Sequence, residues 1–138
     1  MKKFEDFLAR SLSDDVGKLI LRITIGFLML LHGVNKFQNG IDGIKYLVTK
    51  NGLPEFLAYG VYGGEILAPI LIIIGLYTRI SSLVVGLTMV FAVYLAHASD
   101  IFALNDKGAS AIELQLLFML GAFTIMFLGA GKISVDKK

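Results

Sequence analysis

Four long apolar segments fill most of this 138-residue chain, and they restrict its fold more than any other feature does. Each runs for roughly 18 to 23 residues, and about 20 are needed for a helix to cross a bilayer. They lie at about 17–36, 55–77, 80–97 and 112–130. A strand reading fails because the blocks are too long and lack alternation, and a barrel needs many more strands. The expected fold is therefore all-α: one polytopic membrane domain over 1–138, a four-helix bundle with short connections. Charged residues are only 17% of the chain, below the quarter typical of soluble domains.

Residues 2–12 place Phe4, Phe7, Leu8 and Leu12 at helical spacing, with Lys2, Lys3, Glu5, Asp6 and Arg10 on the other side. This predicts a short amphipathic helix lying at the membrane interface. Ser13-Asp14-Asp15 is a suitable N-cap cluster for the first span. Pro54 suits the start of the second. The loop from Asn39 to Gly52 has room for a short helix around Ile44–Thr49. No basic cluster resembles a nucleic-acid surface, and that partner class is set aside. The chain has no cysteine, which excludes thiol and iron–sulfur chemistry by its own side chains.

Basic residues set the expected orientation. Lys2, Lys3, Arg10, Lys18, Arg79, Lys132, Lys137 and Lys138 fall on one side; Lys36, Lys45, Lys50 and Lys107 fall on the other. Both termini are thus expected in the cytoplasm, with Arg22 snorkelling toward that side. Gly60-x-x-x-Gly64, Ala92-x-x-x-Ala96 and the Gly26/Gly33 stripe are spaced for close helix packing, internally or in a homodimer.

One titratable residue sits in each apolar segment: His32, Glu65, His97 and Glu113. Such residues are costly in hydrocarbon and by default mark a function or a specific partner. Lys36 lies four residues after His32, Tyr62 three before Glu65, and Tyr94 three before His97, each pair expected on one helix face. His32, His97 and Glu113 should lie near the outer boundary, with Glu65 on the order of 10–15 Å deeper. Pro69 cannot return the helical hydrogen bond to the Glu65 carbonyl, so a kink and a small polar cavity are expected there.

Three readings follow from this constellation. It can bind a quinone head group, with Glu65, His97 and Glu113 handling protons and His32, Lys36, Tyr62 and Tyr94 lining the site. It can ligate Zn or Fe through imidazoles and carboxylates. Or it is a network of mutually neutralising groups that only holds the bundle together. On the cytoplasmic side, Arg22, Arg79, Ser134 and Asp136 form a second candidate cluster, with Arg79 read as a topology anchor.

Arg22…Gly26…His32-Gly33…Lys36, Glu65 after paired glycines, Gly75-x-x-Thr78-Arg79, His97, Glu113 and Gly129-x-Gly131-Lys-Ile-Ser134-Val-Asp136 together resemble the DoxX family of small bacterial inner-membrane proteins. The resemblance runs from about residue 17 to 136. The family commonly carries arginine where this chain has Lys132, a change that keeps the positive charge. The resemblance implies a four-helix, multi-pass protein of the bacterial inner membrane linked to redox and sulfur metabolism. The related DoxD proteins are subunits of a thiosulfate:quinone oxidoreductase, and some DoxX members associate with oxidative-stress enzymes. It therefore implies a membrane subunit or accessory of a quinone-linked oxidoreductase, with an oxidoreductase partner subunit. The alternative is a non-enzymatic membrane scaffold or assembly factor, since related folds occur in proteins that assist the assembly or export of others.

Overall fold

A computed structural model describes all 138 residues, and it is helical throughout, with one isolated bridge between Leu104 and Ser110 in place of any strand. The helices are α1 (Lys2–Ser11), α2 (Asp14–Asn39), α3 (Asp42–Lys50), α4 (Glu55–Ile74), α5 (Thr78–Ala96) and α6 (Glu113–Leu128). Three of them, α2, α4 and α5, are long and apolar enough to cross a membrane. The fourth apolar helix, α6, is shorter at 16 residues.

α2, α4, α5 and α6 pack around one core of Ile25, Met29, Ala68, Ile72, Val85, Met89, Phe118, Ala122 and Ile125. Their outer faces carry exposed Phe27, Leu31, Ile70, Ile80, Leu87, Leu117, Leu120 and Phe127. An apolar exterior of this size around a polar-poor bundle is the surface expected to meet lipid. α1 buries none of its residues. α3 folds over the start of α4, where Ile41, Val48 and Ala58 form a second small core.

α4 is not a uniform helix. It opens as a 3₁₀ turn over Glu55–Tyr59, relaxes into one α turn, widens further to a π turn over Gly63–Leu67 and ends as α-helix over Ala68–Ile74. The Ala68 N–H reaches back five residues to the Gly63 carbonyl. Pro69 explains the widening: it has no N–H to return to residue 65, so the helix rearranges its ladder around the gap.

The glycine stripe of α2 packs internally. A Cβ on Gly26 would come within 3.0 Å of the Pro69 carbonyl oxygen, and one on Gly33 would run into the Glu65 carbonyl. Gly64 lies against Thr88, whereas Gly60 has no atom near the position of a Cβ.

The end of the bundle where α2 begins is tied by Arg22, which does not snorkel to water. It is 1% exposed. Its guanidinium donates to the carbonyls of Ile72 and Ile73 at the end of α4, and to those of Ala130 and Ile133 in the tail, at 2.8–3.0 Å. The four acceptors fan around a planar group with five N–H donors. The negative end of the α4 dipole adds to the fit. Next to it, Gly75 and Tyr77 turn the chain with positive φ, and the tail pairs with the turn through Val135 N–H to Ile74 and Asp136 N–H to Gly75. Asp136 caps α5 by accepting from the amides of Tyr77 at 3.0 Å and Thr78 at 2.9 Å. Burial pushes this carboxyl up, but the Thr78 and Tyr77 amides and the Lys138 charge outweigh it and hold Asp136 below the usual carboxylate range. Arg79 donates to the Met126 and Phe127 carbonyls that α6 leaves open. Arg22, Arg79 and Asp136 thus fasten helix ends, while the Ser134 hydroxyl braces the tail by donating to the Gly131 carbonyl and accepting from the Lys137 amide.

Candidate functional site

At the opposite end of the bundle, Gly33 lets α2 approach α4 at the level of Glu65, and Lys36 follows one turn later on the same face. The Lys36 Nζ donates to Glu65 Oε2 at 2.5 Å. Glu65 is 2% exposed, while the lysine side chain retains 32% of its surface. The pair is therefore asymmetric: the carboxylate is enclosed, and the ammonium arrives on a flexible stem from the edge.

The pair stands between two cavities. The larger, about 580 Å³, lies between α4 and α5 under α3, walled mainly by apolar side chains such as Leu57, Val61, Leu87 and Phe91. The smaller, about 110 Å³, lies toward α2 and α6 among Met29, His32, Met89 and Phe118. Lys36, Glu65, Ala92 and Gln115 line both. A mostly apolar cleft with a few convergent polar groups is the usual form of a small-molecule site.

His97 follows the last helical residue of α5 and has left helical geometry. Its ring reaches the larger cavity, with Nε2 3.4 Å from the Gln115 amide nitrogen and Nδ1 3.6 Å from Asp100. With the amide as donor, the imidazole proton sits on Nδ1, facing the Asp100 carboxylate. His32 is exposed, packs edge-on against Phe118 with ring centroids 5.6 Å apart, and borders the smaller cavity.

The other residues singled out from sequence lie elsewhere. Glu113 is exposed at the first residue of α6 and lines neither cavity. Tyr62 packs against Phe37 and Tyr59. Tyr94 is exposed and stacks on Phe91. No three His, Asp or Glu side chains are grouped so as to hold a metal ion, so the donor set for Zn or Fe is not assembled here. The residue that sequence reasoning missed is Gln115. Its signal was a lone amide within an apolar helix, where polar side chains serve as interhelical partners.

What fold and site define is a small helical membrane protein with a buried Lys–Glu pair beside an apolar cleft. The sequence matches the DoxX family over residues 17–98, from Gly17 in the first turn of α2 to Ala98 just beyond α5, and the chain belongs to that family. It is 29% identical to the "Putative oxidoreductase CatD" of Bacillus subtilis strain 168, over 90% of this chain and 87% of that protein. Two uncharacterized proteins of Haemophilus influenzae are also similar. One is 32% identical over 86% of this chain and 87% of its own length, the other 28% identical over 96% and 89%. No solved structure matches.

Proposed function

We propose that this DoxX protein crosses the bacterial inner membrane four times with both termini in the cytoplasm. We further propose that it acts as the membrane subunit or accessory of a quinone-linked oxidoreductase. The basic-residue bias supports the orientation. For α6 to cross, the bilayer must thin locally or the residues after Leu128 must extend the span. The carrying observation is the enclosed Glu65 carboxylate, neutralised by Lys36 on the wall of a mainly apolar cleft.

The residues present fit a quinone head group. Lys36 and Gln115 offer N–H donors at one end of the cleft, suited to ring carbonyl oxygens. A bound quinone supplies two-electron acceptance coupled to proton uptake. Glu65 is the group placed to hold a proton at a carboxyl oxygen, and Lys36 to neutralise it when the proton leaves. The imidazole of His97, held by Asp100 and Gln115, orients the ring and offers a route for protons toward the loop side. The name of the Bacillus subtilis relative is in keeping with this role.

The test is organic extraction and metal analysis of the detergent-purified protein, with Glu65→Gln and His97→Ala beside the wild type. We expect a quinone in the wild type and its loss from both variants, each still folded. Undiminished binding by Glu65→Gln rules the site out. If nothing is extracted, a partner protein co-purifies, and pocket substitutions alter only stability, the protein is a membrane scaffold.

A further inference from the structure

Two glycines of α4 have no structural reason visible in the fold. Gly60 and Gly63 both have ordinary right-handed helical backbone, and no atom lies within 4 Å of where a Cβ would stand on either. They differ in this from Gly26, Gly33 and Gly64, each pressed against a neighbouring helix. Glycine weakens a helix through its backbone entropy, so an uncrowded helical glycine calls for another explanation.

Their positions supply one. Gly60 borders the 580 Å³ cleft, and Gly63 borders a separate apolar cavity of about 270 Å³ further along the same α4–α5 flank, beside Leu67, Leu71 and Ile80. Val84 is common to both. The two cavities therefore adjoin at Val84 and lie in line along the flank as an interrupted groove, from His97 at one end to Ile80 near the other, roughly 25 Å at 1.5 Å per residue. Its walls are apolar, and Leu67, Ile80 and Leu87 are exposed along its rim. Side chains at positions 60 and 63 would fill it.

We propose that this groove is the seat of the isoprenoid tail of a membrane quinone whose head group lies at Lys36, Glu65 and His97. Gly60 and Gly63 then determine specificity, by leaving room for the tail and for entry from the side. The inference rests on the quinone reading above and adds the ligand's class: a long-tailed, lipid-soluble quinone held along its length. A tail-less quinone would use the cleft alone. The adjacency of the two cavities at Val84 selects this occupant over an acyl chain lying by chance on the flank.

The experiment compares two probes with the same ring, menadione without a tail and menaquinone with a long isoprenoid tail. Both are measured against the full chain in lipid nanodiscs for wild type, Gly60→Leu and Gly63→Leu. Because nothing occupies the space a Cβ would take, both variants should fold, and their thermal transitions serve as the control. The expected result is menaquinone binding weakened on the order of tenfold or more in both leucine variants, with menadione binding unchanged in Gly63→Leu, whose glycine lies outside the head-group cleft. Unchanged menaquinone binding overturns the proposal. So does an equal loss of both quinones in Gly63→Leu, or the loss of retained phospholipid alone. If wild type binds neither quinone, the head-group reading has failed and this inference falls with it. Menadione binding that depends on Glu65, with no effect of the leucines on menaquinone, refutes the tail groove while leaving the head-group site standing.

Discussion

Removing either member of the Lys36–Glu65 pair should cost stability unequally, and the direction follows from the exposure of the two side chains. Lys36→Met leaves a carboxylate that is 2% exposed with no counter-charge. Breaking a buried pair this way costs about 3–5 kcal/mol. Glu65→Gln leaves an ammonium whose side chain already shows 32% of its surface and can swing outward on its four-carbon stem. That loss should be nearer 1–2 kcal/mol, closer to a partly exposed pair. The double variant Lys36→Met/Glu65→Gln removes the orphaned charge, so it should be more stable than Lys36→Met alone, with a coupling energy of roughly 2–3 kcal/mol. Equilibrium unfolding in mixed micelles, read by helical circular dichroism across the four proteins, measures every term. Additive losses, or a larger loss from Glu65→Gln than from Lys36→Met, would refute the assignment of Glu65 as the enclosed partner. A double variant that matches the wild type in stability yet holds no quinone would show that the pair serves ligand binding rather than the fold.

Other consequences can be checked with single substitutions. Arg22→Lys keeps the charge but cannot fan four donors, so thermal unfolding should show a loss on the order of 3 kcal/mol. Gly33→Ala should cost at least about 2 kcal/mol, because its methyl group meets the Glu65 backbone. Gly43→Ala, with open space around it in α3, should be neutral or mildly stabilising in the same assay. The carboxyl of Asp136 is held below its ordinary range. Its contribution is thus fully present above the unfolded carboxylate value of about 3.9 and is lost as pH falls through the lower folded one. An acid titration of Tm should therefore flatten below about pH 4 in Asp136→Asn relative to wild type.

The long elements were legible because apolar block length is a coarse property that survives uncertainty about partners. A helix is present at Lys2–Ser11 where one was expected over 2–12, the short helix around Ile44–Thr49 is Asp42–Lys50, and Ser13 accepts from the Asp15 amide at 3.2 Å as an N-cap. The contacts of the site were harder to read, because they depend on helix phase. Tyr62 and Glu65 share a face only in a regular α-helix. The π turn at Gly63–Leu67 rotates each residue less, so three positions fall well short of a full turn. Tyr94 and His97 part for a related reason, since His97 has already left helical geometry while Tyr94 remains in the helix. Glu113 drew notice because it titrates, yet it starts α6 outside both cavities, and the unchargeable Gln115 two residues later faces them. Pro69 was read correctly as a disturbance at Glu65, but sequence could not tell a kink from a widened turn.

The guanidinium of Arg22 has a bearing on biogenesis. Two of its acceptors, Ala130 and Ile133, emerge from the ribosome more than a hundred residues after it. A nascent chain halted before that point would hold an inserted cation with half its carbonyl acceptors missing, left to draw in water. The bundle can therefore close at the Arg22 end only when synthesis has passed Ile133.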